Sequence, residues 1–529
     1  MSMDLKTMQS LVARGRMSRR DFMGLALAAG VTVTAAETLF AKAARAEPKK
    51  GGKFRAGIGH GQTSDSLDPA TWANAFVADV GFVLGSCLMG IDQKNNAVPD
   101  LAESVESGDG AKTWVFKLKK GVEFHNGKSL TAADVVATYN YHRGENSKSA
   151  AKSAVEIISD VKADGDDTVV FTLKSGSADF PYITTDYHLP IFPGDGNGGI
   201  DWKSGVGTGP FMMAGYEPGV KFSGKRHPNF HKDGPYFDEI ELLAILDVAA
   251  RQNALMTGDV DYIDRCDLKT LKLLERNPGI KITDVTGFAH YVAPMDVRAK
   301  PFDNVDVRLA IKYAIDREEI VKKVLLGHGT AGNDNPLAPS IKFATQPEPV
   351  YAYDPEKAKF HLKKAGLSNL QVDLSAADAA FAGAVDAAVL IKESAAKCGI
   401  DVNVIKEAND GYWDSVWMKK PWCFSYWGGR PTADWMFTTA YAAEAAWNDT
   451  FWKNGRFNEL LVKARAETDD AKRAPMYAEM QQILHDDGGI IVLMFNNFTS
   501  AHSDKLAHGE LNTNYDHDGG YIFERWWFA

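Results

Sequence analysis

Along much of the chain, apolar and polar residues repeat with one of two periods. In the stretch 113–119 (TWVFKLK), Trp114, Phe116 and Leu118 occupy every second position, and Val169, Phe171 and Leu173 do the same further on. Period two places those side chains on one face, so both stretches are predicted as half-buried strands. Val135, Tyr139 and His142 follow Thr131 at helical spacing, with Thr131 as the N-cap. Val307, Ala310, Ile311, Ala314 and Ile315 form a second helical stripe. Asp316 with Glu319 three residues on reads as a capping box opening a new helix, and Gly327 closes it. Asp354-Pro355-Glu356 opens another with Pro at the first helical position, ended by Gly366. Residues 490–495 (IIVLMF) read as a buried strand, and polar Asn496-Asn497 follow at once. The pattern is mixed α and β throughout, with no period that would indicate a repeat fold.

Two stretches depart from these periods. Residues 328–350 are a long Pro- and Gly-rich connection, and a loop of that length inside a compact region is often functional. Seven of the twelve Trp lie between Trp413 and Trp452. Core packing accounts for many of them. Their density beside Gly428-Gly429-Arg430-Pro431 also predicts a pocket wall.

The N-terminus has its own logic. Lys6, Arg14, Arg16, Arg19 and Arg20 face a single acid, Asp4, in residues 1–20. An uncharged apolar stretch, 22–36, follows, and Ala44-Arg45-Ala46 offers small residues where a signal peptidase reads. These three parts define a secretory signal, cleaved between Ala46 and Glu47. Fifteen residues rise only about 22 Å as a helix, short of a bilayer core of ~30 Å, which disfavours a membrane anchor. Ser18-Arg19-Arg20-Asp21-Phe22-Met23 resembles the twin-arginine export motif, which implies passage across the membrane already folded. No Cys follows the cleavage site, so the expected product is soluble and periplasmic.

Charge narrows the partners. Residues 1–46 hold seven Lys/Arg and three Asp/Glu; the remaining 52 basic and 66 acidic residues give a formal net of −14. That argues against nucleic acid, which wants a basic face. The 483 residues left after cleavage exceed one ordinary domain. Cys87, Cys266, Cys398 and Cys423 form neither a zinc pattern nor a disulfide framework; buried free thiols are expected, and an oxidising periplasm leaves a disulfide open.

Three strings imitate known motifs. GVEFHNGKS (121–129) has five residues between its glycines where a phosphate-binding loop needs four. Gly194-x-Gly196-x-x-Gly199 follows a Pro and leads into Ile-Asp-Trp, so it is a loop and no dinucleotide fingerprint. Pro228 keeps His227 and His231 from sharing a helical face, against metal ligation. No H-E-x-x-H and no G-x-S-x-G occurs. No catalytic residue, cofactor or metal is expected.

Seven strings in order resemble the family 5 extracellular solute-binding proteins, the large periplasmic receptors of ABC importers. They are Ser66-Leu67-Asp68-Pro69, GVEFHNGKSLTAADV (121–135), GTGPF (207–211), KRHPNFHKDGPYFDEIE (225–241), ALMTGDVDYID (254–264), PFDNVDVRLAIKYAIDREEI (301–320) and YDPEKAKFHLKKAG (353–366). The resemblance implies a type II periplasmic-binding-protein clamshell: two α/β lobes joined by two crossing strands, with an extra domain inserted in the first. Lobe one would hold residues 47–91, 203–288 and 499–529, the extra domain 92–202 and lobe two 289–498. The crossings would fall near Phe288–Tyr291 and Phe495–Phe498. A monomer would close on a small-molecule or short-peptide solute and dock on a membrane permease pair driven by cytoplasmic ATPases, with no chemistry of its own. A receptor-like chaperone or a sensor subunit is the alternative.

The resemblance also points at residues. Tyr426, Trp427, Arg430, Asp434, Tyr291 and Asn497 are the expected ligand contacts. In peptide-binding members an Asp soon after a Trp in lobe two grips the peptide amino group. Counted from Trp427 without gaps, that place holds Arg430; a shifted alignment supplies Asp434. Arg430 then either contacts an anionic group on the solute or forms a structural salt bridge with Asp434.

Overall fold

The fold is seen in a computed structural model that describes residues 5, 8, 19–44 and 48–529. The expected cleavage site, Ala46–Glu47, lies outside the described residues. Residues 19–44 form two short helices, Arg19–Ala28 and Val33–Ala44. Among the described residues, no helix is long and apolar enough to cross a membrane.

A nine-stranded sheet runs through the molecule. From one edge its order is Ser425–Trp427, Ile280–Val292, Val492–Ser503, Tyr262–Ile263, Lys53–Ile58, Glu239–Ala244, Lys221–Arg226 and Phe211–Glu217, with Gly329–Ala331 also paired to Val492–Ser503. Its centre is the antiparallel pair Ile280–Val292 and Val492–Ser503, in register from Ile280 opposite Ser503 to Val292 opposite Val492, with irregularities after Thr286 and Tyr291. Strands of this length reach about 40 Å, enough to belong to two cores. At one end Val492 and Met494 pack into the cores built by residues 288–494; at the other, Ala501 packs with Leu255, Val260 and Leu274.

The apolar cores divide accordingly. Phe54, Trp72, Phe76, Phe222, Leu242, Phe523 and Trp526 gather segments from both chain ends. Leu101, Phe116, Tyr139, Phe171 and Leu189 close a separate core around the four-stranded sheet of residues 102–173. Two further cores fill the region after residue 288.

Local signals map onto elements. Thr113–Leu118 and Thr168–Leu173 are paired strands, with Trp114 opposite Phe171 and Phe116 opposite Val169. Thr131 and Asp134 form a capping box on the helix Ala132–His142. Asp316 accepts from Glu319 N (3.0 Å), but the helix beyond Ile320 widens into a π turn, Val321–Leu325, and Leu326 (φ 49°) ends it just before Gly327. Asn496-Asn497 do not end their strand: the backbone ladder continues to Ser503, since pairing does not depend on side-chain polarity.

The connection 328–350 is anchored. Its Asn333, Asp334 and Asn335 are buried. Asp334 accepts from Arg317 Nη2 (2.8 Å) and Val492 N (2.9 Å), and Asn335 donates to Gln481 Oε1 (3.0 Å). A buried loop must satisfy its polar groups, and these side chains do so. All four cysteines are free and buried. Residues 121–129 turn back on themselves, bridging Glu123 to Ser129, while His231 pairs with Asp100 (2.7 Å). Among the described residues no cluster suits a metal ion.

Candidate functional site

Two adjoining cavities lie where the cores meet, sharing Tyr426 and Asp516 in their walls. The larger, about 440 Å³, is lined by Arg265, Tyr291, Asp378 and Asn497 among others. The smaller, about 80 Å³, is largely aromatic. Trp413, Trp417, Trp447 and Trp427 form a chain of inclined rings with centroids 5.8, 6.0 and 6.0 Å apart in turn, and Tyr426 leans on Trp413 at 5.4 Å. Inclined contacts of this kind suit the ring quadrupole and leave faces and edges turned several ways.

Arg430 enters the smaller cavity because of two glycines. Gly429 has φ 103°, and a Cβ there would overlap Phe288 on the central strand; one at Gly428 would press on Tyr515. Only glycine permits that close approach at that φ. Thr432 then caps the helix Ala433–Ala440 through Trp435 N (3.2 Å). Arg430 is 2% exposed. Nη1 donates to its own Gly429 carbonyl (2.7 Å), and the guanidinium sits 5.3 Å from the Trp435 ring centre and 5.4 Å from that of Tyr515. Its Nε has no hydrogen-bond partner, and among the described residues no carboxylate reaches ion-pair distance. Burial works against its charge, yet Tyr515, Asp186 and Tyr187 outweigh that and hold its pKa above the ordinary arginine value. Trp427 Nε1 and Tyr515 Oη also lack partners. The unmatched polar atoms of this wall are thus chiefly donors.

The carboxylates nearby are committed. Asp516 pairs with Arg265 (2.8 Å), whose guanidinium stacks on Tyr426 at 4.5 Å. His517 stands between Asp79 (2.7 Å) and Asp264 (3.2 Å). Burial disfavours its charge, but the two carboxylates prevail and raise its pKa well above that of free histidine. His517 and Asp518 both adopt left-handed φ, 59° and 57°, followed by Gly519 and Gly520 at 72° and 85°. Non-glycine residues hold that conformation only where surroundings enforce it, as these ion pairs do.

Contacts also cross from residues 60–64 to the region after 289. His60 Nδ1 accepts from Ala75 N (3.1 Å), and its Nε2 lies between Ala379 O (3.2 Å) and the donor Arg265 Nη1 (2.9 Å). Burial, then Arg265, push the His60 pKa well below the usual value, so it is neutral. Ser64 donates to Asp414 (2.6 Å), and Trp413 N to Gln62 Oε1 (3.3 Å).

Of the residues singled out in the sequence, Tyr426 borders both cavities, Trp427 and Arg430 the smaller, and Tyr291 and Asn497 the larger. Asp434 borders neither: it is buried and bonded to Arg465 (3.0 Å), which also excludes it as the partner of Arg430. Sequence reasoning missed Tyr187, Asp516 and His517 as wall residues. Trp447 belonged to the Trp-rich stretch and could have been singled out; the others carry no local signal.

The sequence profile of the bacterial extracellular solute-binding proteins, family 5, matches residues 96–449. The chain belongs to this family. Among curated relatives of this family 5 protein, the Oligopeptide-binding protein AppA of Bacillus subtilis is 27% identical over 525 residues, covering 92% of this chain and 94% of the relative. The Escherichia coli Dipeptide-binding protein is 27% identical over 437 residues, 75% of this chain and 80% of the relative. Among solved structures, the Helicobacter pylori periplasmic binding protein DppA, in complex with the peptide STSA, superposes with a TM-score of 0.82 at 24% identity, over 90% of this chain and 98% of that one. The binding protein AgaA of A. tumefaciens R10, in complex with agropinic acid, gives 0.82 at 24%, over 90% and 99%. The fold of the family 5 protein is therefore the type II clamshell, and its role is solute binding within an ABC import system.

Proposed function

We propose that this protein captures a small solute bearing an anionic head in the periplasm and delivers it to a membrane permease served by cytoplasmic ATPases, performing no chemistry itself. Export follows the twin-arginine route with cleavage before Glu47, and the protein acts as a monomer. The lobes are residues 47–91 with 203–288 and 499–529, and 289–498, with 92–202 inserted. The central strands carry the hinge, and the contacts from His60, Gln62 and Ser64 to Ala379, Trp413 and Asp414 are those of a closed form.

Arg430 carries the reading: a buried guanidinium in the wall of an aromatic cavity, with Asp186 near enough to support its charge but, among the described residues, no carboxylate at ion-pair distance. Its guanidinium still has donors free, and a ligand carboxylate would take them in a bidentate bond. Asp79 and Asp516, the acids of the smaller cavity, already hold His517 and Arg265, so beside Arg430 no free carboxylate receives a peptide ammonium. Relatives named for oligopeptides, dipeptides and glutathione, and a structural neighbour holding agropinic acid, span this chemistry. An amino-acid conjugate or modified peptide fits better than a free-amine peptide. Native mass spectrometry of the protein purified from periplasm identifies the bound solute, and calorimetry compares Arg430→Ala and Arg430→Lys. Both variants should lose about ten- to a hundredfold in affinity, since lysine cannot reproduce the fork. Unchanged affinity in stably folded variants would remove Arg430 from the site and the anionic head with it.

A further inference from the structure

Behind the tryptophan wall sits a carboxylate that the solute site as described does not use. Asp449 is 4% exposed. Its Oδ2 accepts from Trp417 Nε1 (3.1 Å), its Oδ1 has no partner, and among the described residues no cation offsets it. Trp417 borders the smaller cavity and leans on both Trp413 and Trp447. The backbone is strained on either side of this contact. Met418, next to Trp417, has φ 58°, and Phe451, two residues past Asp449, has φ 54°. Neither is glycine, so the surroundings hold both segments in a conformation they would not choose.

An uncompensated carboxylate is an expensive way to accept one indole proton. Asparagine would accept the same bond without a charge to desolvate. The group differs from asparagine in that it can change charge. We propose that Asp449 is a positioning residue of the solute site: through Trp417 Nε1 it sets the indole that walls the cavity, and its protonation loosens that indole. This rests on the reading of the aromatic cavity as the place where the solute binds.

Burial pushes the Asp449 carboxyl up to about 7, against the pull of the Trp417 hydrogen bond. The titratable groups that share its surroundings are Cys423 and Tyr441. Burial, reinforced by Asp449, raises both well above their usual values, so they stay neutral while Asp449 titrates. The ionised form accepts a charge-assisted bond roughly twice as strong as the neutral one. Above about pH 7 the indole is held tightly, and below it the hold weakens.

The test needs no ligand. In ¹H–¹⁵N spectra of the whole protein, the Trp417 indole signal is assigned by its loss in Trp417→Phe. It should move downfield as pH rises, with a midpoint near 7, and should stand still in Asp449→Asn while keeping its contacts to Trp447. Should Asp449→Asn fail to fold, Trp417→Phe supplies the second measurement: the ¹³C signal of the Asp449 carboxyl should titrate at a higher pH once the indole donor is gone. A Trp417 signal flat from about pH 5 to 9 in the wild type, a titration that persists in Asp449→Asn, or an Asp449 midpoint indifferent to Trp417→Phe overturns the proposal. None of these readouts depends on Arg430, so failure of the anionic-head reading would appear separately.

Discussion

Replacing Asp334 by Asn should destabilise the region after residue 288 more than its chemical modesty implies. Asp334 is fully buried and binds Arg317 Nη2 at 2.8 Å and Val492 N at 2.9 Å, with Lys312 Nζ 3.4 Å from its other oxygen. Lys312 and Arg317 are themselves buried, so one carboxylate answers two cations in the core. Asparagine keeps one acceptor but leaves both charges unanswered. Breaking a buried pair on one side costs about 3–5 kcal/mol, a large share of the ~5–15 that stabilise a folded protein. Lys312 should yield first, because burial already holds its pKa below the ordinary lysine value and Asp334 is what props it up. A lysine with a depressed folded-state pKa binds fewer protons folded than unfolded, so stability rises with pH between the two values. The deficit of Asp334→Asn should therefore shrink as pH rises toward the ordinary lysine value. Adding Lys312→Met, which removes one orphan cation at similar volume, should recover part of it. Differential scanning calorimetry at neutral and alkaline pH compares the wild type with both variants. Asp334→Asn within about 1 kcal/mol of wild type, or no recovery from Lys312→Met, would refute the claim that this triad is electrostatically coupled.

His517→Asn tests the left-handed turn at the cavities: asparagine tolerates that φ, but two carboxylates lose their shared cation. The folded-state pKa of His517 is raised, so its contribution is fully present below the unfolded value and is lost as pH climbs through the folded one. Calorimetry should show wild type more stable than the variant at pH 6 to 7 and the gap closing in alkali; a gap independent of pH would mean the ion pairs contribute nothing. For export, Arg19→Lys with Arg20→Lys should trap the precursor in the cytoplasm, and sequencing of the periplasmic wild-type protein should begin at Glu47. Normal periplasmic levels of the double variant would point to the ordinary secretion route.

The sequence by itself determined what depends on neighbours a few residues away. The alternation around Phe116 and Phe171, the capping box at Thr131 and the Pro355 helix start were all readable, because side-chain period and orphan backbone groups are satisfied within one turn or one strand. Family membership was readable too, since it was carried by short strings in order. The site was legible only in part. Arg430 stood out because, counted from Trp427, it takes the place of the family's Asp between a glycine pair and a proline, and Tyr426 and Trp427 because they adjoin it. That Asp434 bonds Arg465, that Asp516 and His517 arrive from the chain's far end, and that Tyr187 comes from another core are facts of long-range pairing. Nothing local encodes them: a charge looks the same in sequence whether its partner lies four residues away or two hundred. Only the tertiary structure decided which carboxylates were already spoken for, and therefore that Arg430, among the described residues of the smaller cavity, has no carboxylate at ion-pair distance. The same holds for Asp449, an ordinary surface-type residue in sequence, which packing alone turns into a buried acid bonded to a tryptophan.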